Sequence, residues 1–73
     1  MKYQIVITTK LMRMMGEELY RVYNDYDKAV SMYNLAVSDL KVTDNTDGTI
    51  ICLKDESGRC IDCFKKEEKH EEM

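Results

Sequence analysis

The chain lacks the features that mark secreted, membrane-spanning and phosphate-binding proteins. The apolar run near its start, Ile5–Ile7, is too short for the core of a signal peptide. Nothing in the sequence approaches the length of a membrane span. No glycine-rich loop precedes a helix, so there is no support for a phosphate cradle. We therefore expect a cytoplasmic protein.

Cysteine and histidine are also scarce. Three cysteines are an odd number, which argues against a closed disulfide framework, and cytoplasmic thiols stay reduced. The only histidine, His70, lies in a charged tail and would have to be held over the fold to activate a nucleophile. The acidic residues fall in turns and in the tail, where water screens them. We predict no enzymatic activity and no cofactor.

Composition and charge indicate one small folded domain with an acidic surface. Of the 73 residues, 44% are apolar and 34% are charged, and the formal net charge is −3. The acidic excess lies in residues 41–73, because residues 1–40 carry equal numbers of acids and bases. Such a surface repels phosphate, so direct nucleic-acid binding is not expected. It can instead occupy a basic groove on a protein partner.

Apolar periodicity predicts a strand, a helix and two further strands. Residues 3–9, YQIVITT, are β-branched and aromatic, and residues 25–40 carry a helical apolar stripe that Asp25 can cap. The stripe consists of Tyr26, Ala29, Val30, Tyr33, Ala36, Val37 and Leu40. TIICLK and RCIDCFK follow as strands around the turn DESG, and KVTD (41–44) is a candidate additional strand.

A three-residue hairpin loop at DESG sets the predicted register of the last two strands. In that register Asp55 faces Arg59 and Leu53 faces Ile61. The predicted core face then carries Ile51, Leu53, Ile61 and Cys63. Cys52 and Cys60 are expected on the opposite face, away from Cys63.

The stretch KLMRMMGEELY (10–20) allows two structures. Leu11, Met15 and Leu19 keep helical spacing, which would give one helix over residues 11–40 and a βαββ fold. Gly16 instead suits the left-handed position of a hairpin turn, with ELYRVY pairing back onto IVITTK. We prefer the hairpin. The predicted fold is α+β, a β-hairpin–α–β-hairpin (ββαββ) domain over residues 1–64 with a charged, frayed tail at 65–73.

The hairpin places three methionines at an exposed turn, where flexible apolar side chains suit a binding surface. The alternative is that they pack into the core. With the acidic turns they form the predicted partner-binding set: Met12, Met14, Met15, Tyr20, Asp44, Asp47, Asp55, Glu56 and Asp62. No metal site is predicted, since a single CxxC within a strand points its cysteines to opposite faces. If zinc were bound, its ligands would be Cys52, Cys60 and Cys63, with or without His70.

In general character the chain resembles the small acidic accessory proteins of phages and mobile elements, a resemblance of size and charge that no family motif carries. Such proteins bind and inhibit host macromolecules, as anti-CRISPR proteins inhibit nucleic-acid-binding defence complexes. The expected partner is a protein, for example a nucleoprotein with a basic groove, and neither nucleic acid itself nor a membrane. The alternatives are a small zinc-stabilised domain and a homodimeric structural subunit.

Overall fold

A four-stranded antiparallel sheet carries one main helix in the computed structural model, which describes residues 1–67. In chain order the elements are β1 (Tyr3–Thr8), α1 (Lys10–Met15), β2 (Leu19–Tyr23), α2 (Tyr26–Val42), β3 (Ile50–Lys54) and β4 (Cys60–Lys65). The strands lie in the order β2-β1-β3-β4. The predicted α+β class and ββαββ order are therefore confirmed.

The stretch KLMRMMGEELY forms a short helix followed by the start of a strand. Gly16 ends α1 with φ at 72°, a left-handed conformation that glycine adopts without strain. The chain then reverses, and β2 pairs with β1 so that Tyr20 lies opposite Val6. The single helix over residues 11–40 is therefore wrong. The predicted hairpin is confirmed, although its connection is a six-residue helix and not a tight turn.

The helix α2 packs one side onto the centre of the sheet. Its N-terminus is capped by Asp25, whose Oδ2 accepts a hydrogen bond of 3.0 Å from the backbone N–H of Lys28. The core joins three helix residues to three strand residues: Ala29, Tyr33, Leu40, Ile5, Ile51 and Leu53. The predicted strand at 41–44 is wrong, because α2 continues through Val42 with Leu40 buried in its last turn.

The two faces of the sheet differ because residues opposite each other on neighbouring strands share a face. The helix α2 covers the face that carries Ile5, Ile51 and Leu53. The other face, here called the open face, is crossed by one row of paired residues from β2 to β4: Tyr20, Val6, Cys52 and Cys63. Among residues 1–67, no helix packs on the open face.

The register of β3 and β4 departs from the predicted one. Asp55 does face Arg59, and its N–H donates a 2.9 Å hydrogen bond to the Arg59 carbonyl. Leu53, however, lies opposite Asp62, because an irregularity at Leu53/Lys54 leaves Ile61 as an extra residue. The predicted core face is thus wrong for β4. Phe64 lies opposite Ile51 and packs against the core, whereas Ile61 is 41% exposed.

Candidate functional site

The methionines of α1 project from the end of the β1–β2 hairpin. Thr9 caps the N-terminus of α1, and its Oγ1 accepts a 3.0 Å hydrogen bond from the N–H of Met12. Met14 and Met15 are 78% and 60% exposed, and Met12 is half-buried. No residue of α1 is buried. The core alternative for Met14 and Met15 therefore does not hold.

Exposed apolar side chains are concentrated in this hairpin. Residues 1–67 contain eleven large apolar side chains that are exposed, and six of them belong to the twelve-residue segment 11–22. We call these six the hairpin surface: Leu11, Met14, Met15, Leu19, Tyr20 and Val22. Leu19 is exposed because β2 is an edge strand and α2 lies mainly over β1 and β3, whereas Tyr20 and Val22 lie on the open face of the same strand. Tyr20 thus lies in this surface together with two of the predicted methionines.

A narrow apolar groove separates β2 from α2. Its walls are formed by Ile5, Leu19 and Tyr23 of the sheet and by Met32 and Ala36 of the helix. The cavity measures about 130 Å³. Small-molecule sites usually measure about 300–1,000 Å³. The groove therefore continues the hairpin surface and is too small to enclose a substrate of ordinary size.

The predicted acidic residues do not form one surface. Asp47 lines the same shallow cleft as Met14 and Leu11, because the loop before β3 lies beside the start of α1. Asp44 lies in that loop too. Asp55 and Glu56 lie at the opposite end of the sheet, in the β3–β4 turn. Asp62 is on β4, on the face that α2 covers.

Asp55 has a local role that explains its position. Its Oδ1 accepts hydrogen bonds from the Ser57 hydroxyl at 2.7 Å, the Arg59 N–H at 2.9 Å and the Ser57 N–H at 3.0 Å. These bonds, first that from the hydroxyl of Ser57 and then that from the backbone of Arg59, lower the pKa of Asp55 below its ordinary value. Asp55 therefore holds the turn together, and its neighbour Glu56 accepts a 3.0 Å bond from the N–H of Lys2.

The three cysteines meet on the open face. Cys52 and Cys63 are directly opposite each other, with their Sγ atoms 2.9 Å apart. Cys60 pairs with Lys54, and all three Sγ atoms lie within 4.8 Å of one another. The expectation that Cys63 faces away from the other two is wrong, because the extra residue Ile61 restores Cys60 to the face of Cys63. His70, the fourth predicted ligand, lies outside the described residues.

The cluster is half open to water. Cys60 and Cys63 are exposed, and Cys52 is partly buried between its neighbours. Burial, together with the hydrogen bond and charge of Cys63, raises the pKa of Cys52 well above its ordinary value. Without a bound cation, Cys52 therefore stays a neutral thiol at neutral pH. Sequence reasoning missed this cluster because the pattern of RCIDCFK does not signal the irregularity at Leu53/Lys54.

A comparison of the chain with models of protein families, with curated proteins and with solved structures found no match. In the described part of the chain, no helix has both the length and the apolar character needed to cross a lipid bilayer.

Proposed function

We propose that the protein is a non-enzymatic binding domain that engages a protein partner through its hairpin surface. The observation that carries the proposal is the concentration of six exposed apolar side chains in residues 11–22. Apolar surface left in water costs roughly 25 cal/mol per Å², so a cluster of this kind gains stability when a partner covers it.

The construction of α1 supports this proposal. A helix of six residues is too short to be stable alone, and none of its residues is buried in the core. Thr9 and Gly16 nevertheless cap both of its ends. The caps hold Met14 and Met15 outward on a defined turn. The contribution of α1 to folding is thus small, whereas its contribution to a contact surface is large.

Charges of both signs surround the hairpin surface, since Lys10, Arg13 and Arg21 belong to the same hairpin as Glu17 and Glu18. Glu17 and Glu18 follow α1 directly, and Asp47 lies in the cleft beside Met14. These three acids match a partner groove that is apolar within and places basic side chains opposite them at its rim. We propose a host nucleic-acid-binding protein as that partner, with steric block of its basic groove as the result. This is the mode of action expected of a phage-encoded inhibitor.

Affinity capture with matched variants tests the proposed surface. The test variant carries Met14→Ser and Met15→Ser, and the control carries Leu35→Ser, which changes a similarly exposed side chain on α2. We expect wild type and control to retain one partner that the test variant loses, with circular dichroism unchanged in all three. Equal capture by all three proteins would place the contact elsewhere.

Reconstitution with the purified partner tests the inhibitory step. We expect the protein to displace nucleic acid from the partner, with an affinity that falls as salt rises, because charges contribute to the contact. An affinity that is independent of salt would remove the charge complementarity from the proposal. A dimer in sedimentation that the Met14→Ser, Met15→Ser variant abolishes would instead support the homodimer alternative.

A further inference from the structure

We infer that Cys52, Cys60 and Cys63 form a binding site for one thiophilic d¹⁰ cation, with Zn²⁺ as the reference ion. The site lies on β3 and β4, at the edge of the sheet away from β2. It is therefore independent of the proposed partner-binding function. In residues 1–67 these cysteines form the one group of three or more possible metal ligands that are close enough to share an ion.

The spacing of the sulfur atoms fits a shared ion. Zinc–sulfur bonds of about 2.3 Å place two thiolates of a tetrahedral site about 3.8 Å apart. The Cys52 and Cys63 sulfurs are closer than this, at 2.9 Å, and the whole set lies within 4.8 Å. Small rotations of the side chains therefore reach the bonded geometry. A disulfide between Cys52 and Cys63 would use two of the sulfurs and leave the convergence of Cys60 unexplained.

The backbone holds the three ligands without help from the ion. Cys52 and Cys63 are fixed by their pairing in the sheet. Cys60 is fixed by its pairing with Lys54, beyond the irregularity that leaves Ile61 as an extra residue. In a regular strand, residues 60 and 63 would point to opposite faces. The bulge is thus what converts the CxxC spacing into ligands on one face, a geometry that otherwise needs a turn.

The electrostatic surroundings suit a complex of negative charge. Three thiolates around Zn²⁺ carry a net charge of −1. Lys54 is the cross-strand neighbour of Cys60, and Lys65 lies two residues beyond Cys63 on the same face. Both lysines belong to the open face, where that charge would form. Asp62 is paired with Leu53 on the other face, but its Oδ1 accepts a 2.8 Å hydrogen bond from the N–H of Cys63 and its carbonyl oxygen accepts one of 3.3 Å from the Cys60 thiol.

The exposure of the cysteines determines how an ion enters the site and what occupies its fourth coordination position. Because Cys60 and Cys63 are exposed, an ion can enter directly, and the fourth coordination position faces solvent. Thiolate ligands select Zn²⁺ and Cu⁺ over Mg²⁺ and Ca²⁺, which prefer oxygen. The site therefore takes a soft cation through three sulfur ligands, and the fourth position is left to water or an external ligand.

The test is titration of the full chain, kept reduced by a phosphine, with Zn²⁺ against a chromogenic chelator and with Co²⁺ as a spectroscopic probe. We expect one equivalent of Zn²⁺ and an intense thiolate-to-cobalt absorption band with tetrahedral visible bands. Cys60→Ser should weaken Zn²⁺ binding more than about 100-fold, because even residues that only orient a ligand contribute about 10–100-fold. The control, Asp44→Asn, removes an exposed carboxylate from the loop before β3 and should bind as wild type does.

Each alternative result has a defined meaning. Cys60 is exposed, so Cys60→Ser should fold, and circular dichroism of the metal-free protein checks this. Equal Zn²⁺ affinity in wild type and Cys60→Ser would overturn the three-sulfur site. So would a weak octahedral Co²⁺ spectrum, or the same loss of affinity in Asp44→Asn. Air oxidation to a Cys52–Cys63 disulfide that Zn²⁺ does not slow would also contradict the proposal.

Discussion

The ammonium group of Lys66 lies 2.8 Å from the carbonyl oxygen of Leu40 and closes the C-terminus of α2. The same group donates to the Thr43 carbonyl at 2.6 Å and to Oγ1 of Thr46 at 2.8 Å. All three ammonium hydrogens are thus used. Carbonyl oxygens at the end of a helix carry partial negative charge, so a cation there is favourable. Lys66 therefore links the end of the sheet to the end of the helix.

Lys66→Met should lower the free energy of unfolding by about 1–2 kcal/mol, because charged hydrogen bonds at a helix terminus are lost. Chemical denaturation measures this change. Lys65→Met is the matched control, since Lys65 is the exposed preceding residue on the open face, and it should change stability by less than about 0.5 kcal/mol. Equal effects of the two substitutions would show that the cap contributes little.

Gly16 is the second position where one residue holds a helix end. Its N–H donates to the Arg13 carbonyl at 3.2 Å, and the next N–H, of Glu17, donates to Met12 at 2.8 Å. A Cβ atom at Gly16 would meet nothing within 4 Å, so substitution costs backbone strain alone. Gly16→Ala should therefore destabilise by about 1–2 kcal/mol, the cost of a left-handed conformation.

Gly16→Asn provides the control for that strain, because asparagine tolerates the left-handed region better than alanine does. It should lose less stability than Gly16→Ala in thermal or denaturant unfolding. If the two variants are equally stable, strain at φ is not what the glycine avoids. Both variants should also weaken partner capture if the orientation of Met14 and Met15 matters for binding.

Local patterns in the sequence predicted the parts of the fold that depend on local physics. The strand β1 and the helix α2 follow from runs of β-branched residues and from an apolar stripe, and Asp25 marks the helix start correctly. The helix α1 was not predicted, because six residues are too few to display a helical period. The Lys66 contact was not predictable either, since it joins residues 26 positions apart.

The cysteine cluster was not predicted because one extra residue in β4, Ile61, changes the register of that strand. A shift of one position in a strand exchanges its faces. The turn at Asp55 and Arg59 was placed correctly, but the irregularity at Leu53/Lys54 reversed the face assigned to everything beyond it. Leu53 therefore lies opposite Asp62, and Cys63 joins Cys52. Bulges depend on tertiary packing, and the apolar pattern of RCIDCFK alone does not reveal one.

The hydrogen bonds of Asp55 make stability depend on pH in the acid range. Its pKa is lowered in the folded state, so the ionised form is favoured by folding. The contribution is present above the unfolded-state pKa of about 4 and is lost as pH falls through the lower folded-state value. Asp55→Asn should therefore lose less stability than wild type does between about pH 6 and about pH 2.

Asp44→Asn is the matched control for the loss of stability at acid pH, because it removes an exposed carboxylate from another loop. It should keep the acid dependence that wild type shows in denaturant unfolding followed by circular dichroism. Parallel curves for wild type and Asp55→Asn would mean that the bonds from Ser57 and Arg59 do not favour the ionised carboxylate.

Tyr33 should make the stability of the fold fall as pH rises in the alkaline range, the opposite of the dependence caused by Asp55. Its ring is buried in the core, and burial, followed by the charge of Asp62 across the helix-covered face, raises its pKa to about 12. The neutral phenol is therefore favoured by folding. This contribution is complete below the unfolded-state pKa of about 10 and is lost as pH rises from there towards the folded-state value.

Tyr33→Phe cannot ionise, so it should lose less stability than wild type does between about pH 9 and about pH 11. Tyr20→Phe removes an exposed phenol and should follow the wild-type curve. Ultraviolet titration of the phenolates gives a second reading, in which one tyrosine of the wild type titrates late and that late step is missing from Tyr33→Phe. A late step that persists in Tyr33→Phe would assign the raised pKa to another tyrosine.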